Sequence, residues 1–298
     1  MKGSVSGVLV IDKPAGISSR QALDRVTSLL PRVKMGHAGT LDPMAAGVLV
    51  VCVGKATRLI PYVQRMRKEY QTTLRLGQRS DTHDLEGEVE AVPITEPIAR
   101  ESFESCLPKF RGDLLQVPPQ HSAVHVKGRR AYELARAGRT VELESRPVRI
   151  DRLICTRFEF PDADLEIECS SGTYVRSLVR DIGDELGCGA VMTRLVRTRI
   201  GAFSLEDAIG PNELTQPRIL ESLRPASDAV QELVTARVPA DQLENVRHGC
   251  VIGASGFEQK VPAGEECALV DARGEVLAVG KVDAAGQAVH PHIVLIGE

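Results

Sequence analysis

The chain has 298 residues, of which 43% are hydrophobic and 26% charged, and a formal net charge of −3. That is the mix of an ordinary globular chain of about two domains, long enough to bury a core without disulfide or metal staples, which excludes a disordered tail, a collagen and a small disulfide scaffold. Aromatic residues make up 3% and Trp is absent, which argues against an aromatic base-stacking platform.

The first element is a strand. Gly7-Val8-Leu9-Val10-Ile11-Asp12 is a short β-branched run stopped by Lys13-Pro14-Ala15-Gly16. It is too short to be a signal-peptide core, no apolar run reaches the roughly 18–20 residues of a membrane span, and a cytosolic location is expected. Ser18-Ser19 can cap a helix running to about residue 30, with Ala22, Val26 and Leu29-Leu30 on one face and Pro31 as its stop. Val48-Leu49-Val50-Val51-Cys52-Val53, between Gly47 and Gly54, reads as a buried strand. A short helix over 56–63 and a strand over 69–76 follow, then a helix over 98–110. Residues 113–125 are Pro-rich and irregular, and 131–137 suit a short helix ending at Gly138. Strands are expected over 148–158 and 165–169, a helix over 174–186 and a strand over 191–200. Residues 211–238 read as helical and polar. The tail carries short strands over 267–270, 276–282 and 292–296 between Gly-rich turns, the pattern of a small barrel or sandwich.

The modest net charge hides a split. Residues 1–80 hold 13 Lys and Arg against 4 Asp and Glu, whereas residues 202–298 hold 7 against 15. An N-terminal face that meets a polyanion is expected. Its densest stretch is Arg65-Met66-Arg67-Lys68, together with Lys55, Arg58, Arg75 and Arg79. The seven cysteines are scattered and form no C-x-x-C pair, so they read as small buried hydrophobes rather than zinc ligands or disulfides. His290-Pro291-His292 lacks an evident third ligand.

The segment richest in chemistry is Gly36-His37-Ala38-Gly39-Thr40-Leu41-Asp42-Pro43-Met44-Ala45-Ala46-Gly47. Its glycines let backbone approach a ligand or adopt positive φ. Asp42, held among apolar residues, would need a cationic partner and could serve as nucleophile or base. Asp42-Pro43 is also an ordinary turn dipeptide. The segment is no phosphate-binding P-loop, because it lacks the G-K-[ST] ending.

GHAGTLDPMAAGVLVVCVGKATRL (36–59) resembles the signature of the TruB-type tRNA pseudouridine-55 synthases. Six further segments resemble the same family in order: VLVIDKPAGISS (8–19), KEYQTTLRLGQRSDTHDLEG (68–87), FRGDLLQVPPQHSAV (110–124), GRRAYELARAG (128–138), CSSGTYVRSLVRDIGDELGCGA (169–190) and LVRTRIGAF (195–203). The resemblance implies an α+β chain with the pseudouridine-synthase fold. That fold has a large mixed or antiparallel sheet and a central cleft in a catalytic domain over 1–230. A small β-rich, PUA-like C-terminal domain over 235–298 would follow.

The resemblance further implies that a T-loop uridine of tRNA, at position 55, becomes pseudouridine without cofactor or metal. Asp42 would be the nucleophile, attacking C6 of the uracil or C1′ of the ribose. Arg176 would hold that carboxylate. Tyr70 would stack on the uracil and move a proton, and Leu195 would pack against the base. His37 would fill the place of the flipped nucleotide. Asp81 would contact substrate or order the pocket, and Lys13 would support the floor of the site. Residues 118–145 match an RNA-gripping insertion in which Lys127, Arg129, Arg130, Arg136 and Arg139 can meet phosphates. His121 and His125 depart from the Tyr and Lys expected there. A monomer acting on the T-arm stem-loop is expected, with no membrane, obligate protein partner or guide RNA. The alternatives are an RNA-guided relative inside a ribonucleoprotein, a non-enzymatic RNA-binding protein on the same fold, and, more remotely, an unrelated hydrolase using Asp42.

Overall fold

The computed structural model describes residues 5–120, 125–126, 129–130, 143–254, 257, 259 and 261–296. Strand β1 (Gly7–Lys13) buries its apolar run completely and leads to helix α1 (Ser19–Leu29). Ser18 caps that helix: its hydroxyl accepts from the Gln21 amide, and the Gln21 side chain accepts from the Ser18 amide. Ala22, Leu23 and Val26 seat α1 on the sheet, each large side chain so buried contributing about 1.5–3 kcal/mol. A three-residue strand, β2 (Met35–His37), precedes the buried β3 (Ala46–Val53). It is too short for periodicity to reveal it.

Residues 54–59 form a 3-10 turn before α2 (Ile60–Arg65), where Pro61 stands in the first turn. Strand β4 (Lys68–Leu76) alternates buried and half-exposed residues as expected. The hairpin β5 (Gln78–Ser80) and β6 (Val89–Ala91) follows, then α3 (Arg100–Cys106), which tightens into a 3-10 turn at Pro108. The Pro-rich stretch begins as a strand, β7 (Gly112–Gln116), paired at the sheet edge. Short strands β8 (His125–Val126) and β9 (Arg129–Arg130) pair with each other. The helix expected over 131–137 lies outside the described residues.

Long strands β10 (Arg146–Glu159) and β11 (Asp162–Cys169) precede α4 (Val175–Glu185), β12 (Ala190–Ile200) and β13 (Phe203–Ser204). The large sheet runs β1-β3-β12-β4-β11-β10-β7, with β2 beside β3 and β13 beside β12. Among the described strands of this sheet, β3 and β12 alone pair in parallel, so the sheet is mixed, as the fold class requires. One face packs α3 and α4 through Phe103, Cys106, Leu178, Val179 and Ile182.

Residues 211–238, expected to be helical, instead hold a single short helix, α5 (Gln216–Glu221), a 3-10 turn over 226–230 and strand β14 (Val234–Arg237). Pro211, Pro217 and Pro225 break any longer helix. Then come α6 (Leu243–Arg247), β15 (Ile252–Gly253), β16 (Glu266–Val270), β17 (Val276–Val282) and β18 (Ala288–Val294). The tail forms a second sheet in the order β14-β16-β17-β18-β15. Its Ala268, Val270, Val276 and Val279 share one apolar cluster with Val8, Val10, Val48 and Val50 of the large sheet. Glu266 reinforces that contact, accepting from the Tyr62 hydroxyl at 2.9 Å and pairing with Arg65 at 3.1 Å.

Several charges of the basic stretch have partners within the fold. Arg67 pairs with Asp151, Arg75 with Asp162 and Arg79 with Asp184. Arg58 donates to the Val294 carbonyl. Lys68 caps the Gln64 and Met66 carbonyls, and burial lowers its pKa to about 8. Cross-strand pairs such as Arg152–Glu166 and Arg199–Glu69 continue the charged face of the sheet.

Glycine is required where β3 meets β12. Gly47 has φ +102°, and a Cβ there would lie 2.2 Å from the Arg197 carbonyl oxygen. Gly16, at φ +86°, has nothing within 4 Å of the same position. Gly16→Ala is expected to cost about 1 kcal/mol and Gly47→Ala more than about 2 kcal/mol, measured as urea midpoints at constant slope.

Candidate active site

The residues that matter come from four elements. Asp42 lies on the loop between β2 and β3, Tyr70 on β4, Arg176 at the start of α4, and Leu195 on β12. Strand pairing brings β4 and β12 together, with Leu195 opposite Thr72 and Arg197 opposite Tyr70. Two irregularities in β12, at 192/194 and 197/199, reset its alternation. As a result Met192, Leu195, Arg197 and Ile200 are all buried, which a strict period of two would forbid.

The centre is an ion chain. Arg176 Nε lies 3.0 Å from an Asp42 oxygen, and its Nη1 lies 3.2 Å from Asp84. The Arg176 side chain is 6% exposed and that of Asp84 is 0%, but the Asp42 carboxylate keeps 35%. Asp42 is therefore the member of the chain that a ligand can reach. Arg176 also donates to the Thr82 carbonyl at 3.0 Å. Asp84 accepts from the Thr82 hydroxyl and from the Glu86 amide. Burial raises the pKa of Asp42, and Asp84 adds to that; Arg176 and Lys13 oppose it. Gln116 holds the start of α4 in place, its amide side chain bonding both the Tyr174 N–H and the Tyr174 carbonyl.

The loop carrying Asp42 is gripped through its backbone. Buried Ser19 both accepts from the Leu41 amide at 2.8 Å and donates to the Leu41 carbonyl at 2.9 Å. Lys13, fully buried, donates to the carbonyls of Pro14, Ile17 and Pro43. Desolvation pulls its pKa down to about 8. The Gly16 amide also donates to the Pro43 carbonyl. Arg197 donates to the Gly39 and Thr40 carbonyls and, from Nε, to the Val48 carbonyl.

Leu41, Ala45, Tyr70 and Leu195 belong to one apolar cluster beside the carboxylate, with Met44 packed against it. Burial raises the pKa of the Tyr70 hydroxyl, and the adjacent Arg197 works against that. His37 ends β2 before the same loop. Among the described residues its buried Nδ1 has no hydrogen-bond partner, and desolvation followed by Arg197 and Arg20 lowers its pKa, which favours the neutral ring at pH 7.

The structure thus brings Asp42, Arg176, Tyr70, Leu195 and Lys13 into one neighbourhood. Asp81 is exposed, and Asp84, three residues on, is the carboxylate paired with Arg176. Sequence reasoning missed Asp84 and Arg197. Asp84 sits in the quoted segment Asp81-Thr82-His83-Asp84, where spacing alone does not say which carboxylate turns inward. Of the insertion, His121, Lys127, Arg136 and Arg139 lie outside the described residues, and His125, Arg129 and Arg130 are described only as strand backbone.

Asp84→Asn removes a like charge from the neighbourhood of Asp42 and leaves Arg176 to that carboxylate alone. The pKa of Asp42 is expected to fall, read from its carboxyl carbon by NMR titration. Loss of the buried charge pair is expected to cost about 1–3 kcal/mol of stability.

With this geometry in hand, the chain can be set beside known proteins. The family model described as TruB family pseudouridylate synthase (N-terminal domain) matches residues 27–175, and that of the tRNA pseudouridylate synthase B C-terminal domain matches residues 176–235. A curated protein named tRNA pseudouridine synthase B from Mycolicibacterium paratuberculosis is 42% identical over 262 residues, covering 86% of this chain and 88% of its own length. One of the same name from Pseudomonas aeruginosa is 49% identical over 210 residues, covering 70% of this chain and 68% of its own. Among solved structures, a chain of a Cbf5-Nop10-Gar1 complex superposes with TM-score 0.78 at 25% identity, covering 97% of this chain and 85% of that one. A chain of an H/ACA RNP bound to a substrate RNA containing 2'-deoxyuridine superposes at 0.77 and 24% identity, over 98% and 85%. By both family models and the curated relatives, this chain belongs to the TruB family of pseudouridylate synthases.

Proposed function

We propose that this chain converts a T-loop uridine of tRNA, position 55, into pseudouridine, with Asp42 as the nucleophile. The observation that carries the mechanism is the 3.0 Å ion pair between Asp42 and the buried Arg176. The guanidinium opposes the burial that raises the pKa of Asp42, and it leaves the carboxylate aimed and still reachable. Asp42 bonds C6 of the uracil or C1′ of the ribose, the N1–C1′ bond of the nucleotide breaks, the uracil turns, a C5–C1′ bond replaces it, and the bond to Asp42 breaks to restore the carboxylate. The C5 proton leaves and N1 gains one, so the exchange is redox-neutral.

The target base must leave its stack, at a cost of a few kcal/mol. Tyr70, Leu195 and Leu41 supply an apolar wall for it. The neutral His37 ring suits stacking in the vacated place. The Tyr70 hydroxyl, kept protonated by burial, can relay the C5 proton. Lys13 holds the floor of the site through carbonyls instead of reacting. We further propose a cytosolic monomer that needs no guide RNA. For the absence of a guide, the support is that relatives named tRNA pseudouridine synthase B share 42–49% identity with this chain, against 24–25% for the chains from the H/ACA RNP and the Cbf5-Nop10-Gar1 complex.

Asp42→Asn keeps the shape and removes the nucleophile. Tritium release from 5-tritiated uridine in a bare T-arm stem-loop is expected to fall below detection, with stem-loop affinity within about threefold of wild type. Turnover by that variant would remove Asp42 from the role. Conversion that appeared only after adding a guide RNA would favour the RNA-guided reading.

A further inference from the structure

Arg197 is the largest of the fully buried side chains, at 2% exposure. Its guanidinium donates to three main-chain carbonyls: Val48 at 2.9 Å, Gly39 at 3.1 Å and Thr40 at 3.4 Å. Among the described residues it forms no ion pair with a carboxylate. The Tyr70 hydroxyl faces it from the neighbouring strand.

Those partners have one thing in common. Gly39 and Thr40 enter the loop that carries Asp42, and Gly47 and Val48 leave it. The side chain of Arg197 therefore holds the incoming end. Its main chain lies against Gly47 at the outgoing end, in the parallel register Arg197 to Gly47. A single β12 residue fixes both ends of the loop and stands beside the tyrosine. An apolar side chain of similar volume would fill the same space without the desolvation cost of a buried cation, so packing alone does not account for a guanidinium here.

We infer that Arg197 is a positioning residue, holding the Asp42 loop and the Tyr70 hydroxyl in register with each other. This rests on the reaction proposed above. Arg197 does not touch the substrate; it acts through the two groups that do.

The test uses the full chain with Arg197→Met and Arg197→Lys. Three quantities are measured: single-turnover pseudouridine formation on the T-arm stem-loop, stem-loop affinity, and thermal midpoint. In Arg197→Met the chemical step is expected to fall roughly 100-fold while affinity stays within about threefold, because a displacement near 1 Å suffices for such a loss. Arg197→Lys keeps the charge but lacks the three-way fork, and should recover about tenfold of that loss. The inference is overturned if both variants fold and react within about threefold of wild type, or if the rate loss is matched by lost affinity. Failure of both variants to fold overturns it too, since the guanidinium would then be holding the fold rather than the site. A wild-type chain inert on both the stem-loop and whole tRNA would instead sink the proposed reaction, and this inference with it.

Discussion

A buried guanidinium shared between two carboxylates organises this protein. Arg176 cannot sit at 6% exposure without anionic partners, and Asp84 cannot sit at 0% without a cation. Each makes the other tolerable. Asp84 also takes two hydrogen bonds from its own loop, which fixes the side of Arg176 that faces away from the ligand. The remaining direction of the guanidinium points at Asp42. The Asp42 carboxylate is thus presented by a pair that was already needed for burial, and its aim does not depend on a ligand arriving.

Holding one carboxylate requires holding its backbone. The loop between β2 and β3 buries Ala38, Leu41 and Ala45, and its main chain is met from outside: Ser19, Lys13 and Arg197 reach it from three different elements and bond Gly39, Thr40, Leu41 and Pro43. Unpaired main-chain groups in such a place would be costly. Charged and hydroxyl side chains brought in from outside meet that need without a strand or helix, and the loop stays open toward ligand. The price is paid in buried cations: both Lys13 and Arg197 are desolvated enough for their pKa values to be lowered.

Much of the frame was legible. The apolar runs at 8–11 and 48–53, the Ser18 cap and the alternation over 69–76 all rest on local chemistry, and local chemistry survives folding. Asp42 and Arg176 were legible because both lie in family-like segments. The charge count over Arg65-Met66-Arg67-Lys68 does not name the partners that folding supplies: Arg67 finds Asp151 and Lys68 finds the carbonyls of Gln64 and Met66. The stretch 211–238 looked helical because its polarity outweighed its prolines. Asp84 was not legible beside Asp81, since only burial separates two carboxylates three residues apart.

The amino-acid sequence by itself determined which groups are available: a carboxylate on a glycine-rich loop, an arginine opening a helix, a tyrosine on an alternating strand, a lysine before a proline. Those follow from residue type and spacing, which are properties of the chain alone. The tertiary structure decided which of them meet. A reset of the alternation in β12 between Met192 and Arg194 turns Leu195 and Arg197 inward. Sheet order then places β12 between the loop strand β3 and the tyrosine strand β4. Neither can be read from a strict period of two, because strand register and the desolvation of a charge are set by neighbours more than 100 residues away in the chain.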